Sequence, residues 1–149
     1  RGCLLGFTLY HNRRHVARAV YEGIAFALNS CYQIMQELDG RQHSITLAGG
    51  GARSGLWPNI LASVFGTQTR VHSAPGECTS LGAAIAAGVG VGLFEDYAQG
   101  AKMARTRSTH EPNEAWMEKY REIYPIYARM YAQLKPLYGE IAALRQSDG

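Results

Sequence analysis

The segment LAGGGARSGLW, residues 47–57, constrains the fold of this chain more than any other part of its sequence. It places three consecutive glycines between a short apolar run and an amphipathic one. SITLAGG before the turn is β-branched and apolar, which predicts a buried strand. SGLWPNILASVFG after it repeats apolar residues on one face, which predicts a helix from near Ser54 to Gly66, with Pro58 tolerated in its first turn. The chain therefore passes from strand to helix through a turn with few side chains.

A second strand-to-helix unit follows the first one. QTRVHSA alternates polar and apolar residues, which predicts another strand that ends at Pro75-Gly76. TSLGAAIAAGVGVGLF then predicts a helix with Thr79 as its cap. Because this helix is made mostly of Ala, Gly, Ile and Leu, its backbone can approach its neighbours closely, and we expect it to be tightly packed.

Two longer amphipathic patterns flank these units. Apolar residues recur at three- and four-residue steps from His15 to Leu38, which predicts a long helix closed by Asp39-Gly40. A similar pattern from Ala115 to Leu144 predicts C-terminal helices, and Pro125 and Pro136 are expected to kink or divide them. The segment ARTRSTHEPNE, which lies between the second strand-to-helix unit and the C-terminal helices, is predicted to be a polar connector.

The order helix, strand, helix, strand, helix and C-terminal helices predicts an α/β domain with crossover units and helices over a sheet. The 149 residues, 46% of them hydrophobic, are enough for one domain with a core. Two strands are too few for such a sheet, so we expect the missing ones in CLLGFTLYH or in a preceding segment. The chain opens without Met and with apolar residues ahead of any capping signal, which favours a fragment of a longer protein.

Composition argues against several classes of function. The net charge of +3 comes from 15 basic and 12 acidic residues that are scattered, so nucleic acid is not an expected partner. The three cysteines have no paired spacing, which predicts neither a disulfide framework nor a zinc site and favours a reducing, cytoplasmic setting. No run reaches the roughly 18 apolar residues of a membrane span, so no membrane partner is expected.

The glycine turn has two interpretations at this point. A bare backbone lets a flat ring or a phosphate approach, with exposed amides near the positive end of a helix, as in many nucleotide sites. The same glycines suit a tight turn that binds nothing, and neither interpretation is preferred on the glycines alone. A Rossmann fingerprint fails because Ser54 or Ala52 stands where glycine is needed, and no Walker P-loop string occurs.

Other candidate residues favour structural roles. His11 and His15 are four residues apart, but no Glu lies between them and no third ligand is evident, so no metal site is predicted. Glu22 and Glu77 have no second acid placed to work with them and are expected to be solvated or capping. Five tyrosines near the C-terminus have helical spacing, which predicts a stripe in the core or at a lobe interface and not a surface for base stacking. They are Tyr120, Tyr124, Tyr127, Tyr131 and Tyr138.

In combination, the glycine turn, the early Trp of the next helix, the second strand and SLGAAIAA resemble the C-terminal half of the FGGY carbohydrate kinases. RGCLLGFTLYHNRRHVARAVYEGIAFAL is similar to that family's Arg-Gly-x-x-x-Gly-Leu-Thr-x-x-His entry into a long helix. YREIYPIYARMYAQLKPLYGEI is similar to the C-terminal helices of xylulokinase-like members. The resemblance implies an actin-like, ribonuclease H-like ATPase fold, with helices over a mixed sheet and extra C-terminal helices.

The resemblance also implies a domain assignment and a function. Residues 1–149 would be the C-terminal nucleotide-binding domain, without the N-terminal lobe and the first strands of its own lobe. The intact protein would phosphorylate a ketopentose, xylulose above all, with ATP and Mg²⁺, whereas the isolated chain would be inactive. A kinase of glycerol, ribulose or gluconate and a non-catalytic interaction module remain as alternatives, and a homodimer is left open.

Site residues follow from the same resemblance. The adenosine side of the ATP site is expected at Gly49, Gly50, Gly51, Ala52, Arg53 and Gly55. No catalytic residue is assigned, because the family's general-base aspartate belongs to the N-terminal lobe, and no metal ligand is assigned either. The small residues from Ser80 to Ala84 resemble a packing helix between the lobes and are expected to be structural.

Overall fold

The computed structural model describes residues 2–41 and 44–146, so Arg1 of the Arg-Gly resemblance lies outside the described residues. The first five helices and strands follow the predicted order, whereas a short helix and a third strand before the C-terminal helix were not predicted. In chain order the elements are α1 (Arg13–Asp39), β1 (Ile45–Leu47), a 3-10 turn (Gly50–Arg53), α2 (Trp57–Phe65), β2 (Thr69–His72), α3 (Cys78–Gly90), α4 (Tyr97–Ala101), β3 (Thr106–His110) and α5 (Glu114–Gln146).

The three strands form one mixed sheet in the order β1-β2-β3. β1 and β2 are parallel, with Leu47 opposite Val71, and are joined by the α2 crossover. β3 runs antiparallel to β2, with an irregularity between Val71 and His72. The predicted α/β class with a mixed sheet is therefore confirmed, and the parallel strands bring their carboxyl ends to one edge.

The third strand lies in the segment that the sequence predicts as a polar connector. CLLGFTLYH contains no strand, so the expectation of a missing strand there was wrong. The side chains of β3 are exposed or half-buried throughout. A strand at the edge of a sheet with little burial needs no apolar alternation, so its sequence lacks the usual strand signal.

Local sequence signals fix both ends of α1 and the end of α2. Asn12 caps α1 by accepting the Arg14 N–H, while the side chain of His15 accepts the Asn12 N–H. Gly40 and Gly66 close α1 and α2 with φ of 65° each, a left-handed conformation that glycine adopts without strain. These predicted helix ends are confirmed.

Three other predicted boundaries were wrong. α2 begins at Trp57, three residues after Ser54. Leu56 occupies its cap position without a side-chain capping bond, and Ser54 Oγ accepts the Trp57 N–H at 3.2 Å from the preceding loop. α3 begins at Cys78 with Glu77 at the cap position, so Thr79 is inside the helix. α5 runs through both of its prolines without a break, so they do not divide it.

The core lies where α2 packs between α1 and α5 against the sheet. Ala25, Ile60 and Leu61 are at most 1% exposed and form its centre. By contrast, α3 buries only Gly88, so the expected close packing of that helix is not found among contacts within residues 2–41 and 44–146. None of the helices described is both long and apolar enough to cross a bilayer.

Candidate functional site

The glycine turn meets two other segments at the carboxyl edge of β1 and β2. The Gly49 N–H donates to the carbonyl oxygen of Pro75 and so joins the turn after β1 to the turn after β2. The Ser73 N–H in turn donates to the carbonyl of Arg105 at 2.7 Å. Three chain segments that are far apart in sequence therefore form one surface.

The amides of the glycine turn are only partly free. The N–H groups of Ala52 and Ser54 donate to carbonyls of Gly49 and Gly51, at 3.2 and 3.1 Å. The N–H groups of Gly50 and Gly51 have no acceptor within the part of the chain that the structure describes. The turn continues into the 3-10 helix Gly50–Arg53, so its two free amides lie at the start of that short helix, and α2 begins only at Trp57.

The fold constrains two glycines of this segment and leaves two others unexplained. Gly49 has φ of 78°, a conformation that strains other residues. A Cβ at Gly51 would lie 3.2 Å from the Trp57 indole, whereas a Cβ at Gly50 or Gly55 would meet nothing within 4 Å. Nothing in the fold thus explains the missing side chain at Gly50, and open space lies above it.

Two arginines flank the turn. A Cβ built on Gly76 would lie 2.9 Å from a terminal nitrogen of Arg53, so this guanidinium rests on the turn after β2. Arg107 of β3 donates from Nη2 to the carbonyl of Ala52 at 3.3 Å. Neither guanidinium forms an ion pair within the described residues. The Arg53 charge is therefore available to an anion, whereas the Arg107 guanidinium is engaged by the Ala52 carbonyl.

Of the expected site residues, five form the turn itself and Gly55 follows it. Gly49, Gly50, Gly51 and Arg53 surround the open space, whereas Ala52 is 1% exposed and supports them from below. The structure brings these residues together. Their role in binding a nucleotide stays a prediction.

Sequence reasoning missed two residues of this region. Arg107 was missed because its strand was not recognised. The His72 side chain, 7% exposed at the end of β2, accepts the Ala74 N–H at Nδ1, and its Nε2 is the one buried side-chain nitrogen or oxygen without a partner within the described ranges. The only signal for His72 is a ring side chain near the end of an alternating strand, and the sequence around Arg107 gives no comparable signal.

The histidine pair of the N-terminal segment has local structural roles. Nδ1 of His11 accepts the Thr8 N–H at 3.0 Å, and Nδ1 of His15 accepts the Asn12 N–H at 3.2 Å. Within residues 2–41 and 44–146 no three His, Cys, Asp or Glu side chains come together as a metal site would require. The family resemblance implies that the magnesium ligands lie mostly outside this segment, and this stays a prediction.

Glu22 belongs to a network between α1 and α5. Its Oε1 accepts from Arg18 at 2.7 Å and from the Tyr120 hydroxyl at 2.8 Å, so the expectation of a solvated or capping acid was wrong. Burial, followed by the hydrogen bond to Glu22, raises the pKa of Tyr120 to about 12. Arg18 also lies 4.1 Å above the centre of the Trp116 ring. The network joins two helices and is not a catalytic acid-base pair.

The tyrosine stripe of α5 packs mostly against one phenylalanine of α1. Ring centres of Tyr120, Tyr124 and Tyr127 lie 5.6, 5.7 and 5.3 Å from that of Phe26. The predicted core stripe is confirmed for these three rings, and Tyr131 is 65% exposed.

Comparison with known proteins identifies the family of the chain. The sequence profile described as the FGGY family of carbohydrate kinases, C-terminal domain, matches residues 1–91. A xylulose kinase of Bacillus subtilis is 30% identical over 149 residues, which are 99% of this chain and 30% of that protein. A gluconokinase of Bacillus licheniformis is 28% identical over 147 residues, which are 98% of this chain and 28% of that protein.

Solved structures agree with this result. The ligand-bound xylulose kinase of Lactobacillus acidophilus superimposes with a TM-score of 0.80 at 26% identity, over 95% of this chain and 29% of the other. The fold expected from the sequence is thereby confirmed. The chain spans less than a third of the length of the relatives that it matches.

Proposed function

The chain belongs to the FGGY family of carbohydrate kinases, and from this premise we propose that it supplies the adenosine side of the ATP site in a sugar kinase. The observation that carries the proposal is the family match over residues 1–91, which include the whole glycine turn. The open space above Gly50 supports it, because no contact of the fold requires a glycine there.

In this proposal the described residues bind and orient the nucleotide. The free N–H groups of Gly50 and Gly51 donate to the nucleotide, whose flat surfaces lie against the bare backbone. Arg53, which has no ion-pair partner, offsets negative charge beside the turn. Bound Mg²⁺ would supply charge neutralisation at the transferred phosphoryl group. The proton acceptor for the sugar hydroxyl lies outside this chain.

We propose a ketopentose, xylulose above all, as the sugar. The support is the similarity to xylulose kinases in both sequence and structure, which extends over nearly the whole chain. Gluconate is the second candidate, because a gluconokinase matches almost as well. The use of ATP and the three free cysteines suit a cytoplasmic enzyme.

The activity is tested by ADP release from the full-length polypeptide with ATP and Mg²⁺. The panel contains xylulose, ribulose, gluconate and glycerol. We expect the highest kcat/KM with xylulose. Turnover with gluconate alone would replace the sugar assignment but keep the kinase, whereas no sugar-dependent release would favour a non-catalytic module.

The binding site is tested by Gly50→Val in the same protein. Because a side chain at Gly50 meets nothing within 4 Å, the variant should fold while filling the proposed nucleotide position. We expect ATP affinity to fall by about tenfold or more, a loss of about 1.4 kcal/mol for each factor of ten, with sugar affinity unchanged.

Gly139→Val is the matched control for this substitution. Gly139 lies in α5 and also has open space around its Cβ position. Gly139→Val therefore adds the same side chain at a position away from the turn. Unaltered ATP affinity in folded Gly50→Val, or an equal loss in the control, would contradict the assignment of the turn.

A further inference from the structure

We infer that Arg107 of β3 is a positioning residue of the nucleotide site, which holds the glycine turn in its binding conformation. This inference rests on the proposed function. It extends the site to a strand outside residues 1–91, the range that the family profile matches. The bond from Arg107 Nη2 to the carbonyl oxygen of Ala52, at 3.3 Å, spans 55 residues of sequence.

The carbonyl of Ala52 needs this bond because it has no other partner. Ala52 is 1% exposed, so water has almost no access to its backbone. Among the residues that the structure describes, no backbone N–H donates to this oxygen. A buried carbonyl without a donor is costly, so loss of Arg107 would drive the turn to a conformation in which that oxygen reaches water.

Such a movement would act directly on the proposed binding groups. Ala52 follows Gly50 and Gly51, whose N–H groups have no acceptor among the described residues. The 3-10 turn is only four residues long, so a rotation that turns the Ala52 carbonyl outward also reorients these two amides. Arg107 therefore affects nucleotide binding without touching the nucleotide.

β3 is fixed well enough to carry this function. It pairs with β2, with Ser108 opposite Val71, a residue that is fully buried. The Ser73 N–H donates to the Arg105 carbonyl at 2.7 Å, which ties the start of β3 to the turn after β2. Arg107 is itself the residue left unpaired at the irregularity in the β2–β3 register. Thr106 and Ser108 on either side of it pair with His72 and Val71, so its neighbours fix its position relative to both turns.

The first test is a pair of substitutions in the full-length polypeptide. Arg107→Met keeps side-chain length but removes the donors, whereas Arg107→Lys keeps a positive charge and a donor. For Arg107→Met we expect KM for ATP to rise about fivefold to tenfold, the range for one lost hydrogen bond, with KM for the sugar unchanged. Arg107→Lys should recover part of the loss.

Arg70→Met is the matched control. Arg70 lies on the neighbouring β2, is exposed, and bonds only to the Gln68 side chain at 3.4 Å. Arg70→Met removes a positive charge from the same sheet at a side chain that does not contact the glycine turn. An equal rise of KM for ATP in Arg70→Met, or no rise in folded Arg107→Met, would overturn the inference.

The second test does not depend on catalysis. Hydrogen exchange of the amides from 50 to 54 is measured without nucleotide in the unmodified protein and in the Met and Lys variants. We expect faster exchange in Arg107→Met and not in Arg70→Met. If the protein releases no ADP with any sugar but this difference is present, the proposed function fails while the positioning of the turn stands; equal exchange rates overturn the positioning itself.

Discussion

α2 and α3 occupy equivalent places in the chain, but α2 is buried by neighbouring helices whereas α3 is largely exposed. Each follows a parallel strand of the same sheet, and each is built from apolar and small residues. α2 lies between α1 and α5 and buries Pro58, Ile60, Leu61, Ala62 and Ser63. α3 packs mainly on the short α4 and buries only Gly88. Apolar composition therefore predicts that a helix should be covered, but not which segment covers it.

The difference follows from where the covering helices lie in the sequence. α1 and α5 both belong to this chain and close over α2, where Tyr32 packs on Phe65 and Trp116 on the core. The described residues contain no comparable pair over α3, whose alanines are mostly exposed. Close packing of α3 stays a prediction for the full-length protein, of which this chain represents less than a third in its relatives.

The strongest test of this contrast is one substitution made in both helices. Leu61→Ala removes a side chain that is 1% exposed in α2 and should lower the free energy of unfolding by about 2–5 kcal/mol, through lost burial and a cavity. Leu81→Ala in the half-buried α3 position should cost less than about 1 kcal/mol. Urea unfolding of the 149-residue chain measures both. Equal costs would mean that α3 is covered in solution.

A smaller effect distinguishes two positions within α3. A Cβ at Gly88 would lie 2.6 Å from the Phe94 ring, so Gly88→Ala should destabilise the chain by about 1–3 kcal/mol through overpacking. A Cβ at Gly82 meets nothing within 4 Å, so Gly82→Ala should stabilise it by about 0.5–1 kcal/mol through helix propensity. Thermal unfolding of the chain measures whether each substitution raises or lowers its stability.

The same pair can be measured in the full-length polypeptide. If another segment covers α3 there, Gly82→Ala should change from stabilising to destabilising, since the added methyl group would meet that segment. An unchanged sign would show that the face at Gly82 remains open, and would contradict the expected packing role of the small residues.

A pH-dependent effect is expected between the helices that cover α2. Tyr120 is 5% exposed and joins α5 to Glu22 of α1. Its folded pKa of about 12 exceeds the unfolded value of about 10, so its contribution to stability is complete below pH 10 and is lost as pH rises towards 12. The loss is on the order of 2 kcal/mol.

Tyr120→Phe isolates this contribution. At pH 8 the variant should be less stable by about 1 kcal/mol, because the hydrogen bond to Glu22 is lost. Above pH 10 the unmodified chain should lose stability faster, so that the difference closes and reverses. Urea unfolding from pH 8 to 11.5 measures it, and a difference that does not change with pH would exclude Tyr120 as the titrating group.

Features that depend on a few neighbouring residues could be predicted from the sequence. Gly40 and Gly66 end their helices because only glycine adopts positive φ freely, and Pro58 marks the first turn of α2 because it needs no N–H there. The start of α2 was placed one turn too early, because Leu56 occupies the cap position and carries no capping side chain that the sequence could show. The candidate site residues were found through the resemblance, which the family match supports.

The sequence alone determined the order of helices and strands from α1 to α3, the strand-to-helix glycine turn and the family, because periodicity, turn chemistry and motif spacing are local properties. Only the tertiary structure showed that a polar segment forms β3, that Arg107 reaches Ala52, and that α2 is covered while α3 is open. These features depend on contacts between residues that are far apart in the sequence, 55 positions in the case of Arg107 and Ala52. Contacts over such separations leave no periodic signal in the sequence.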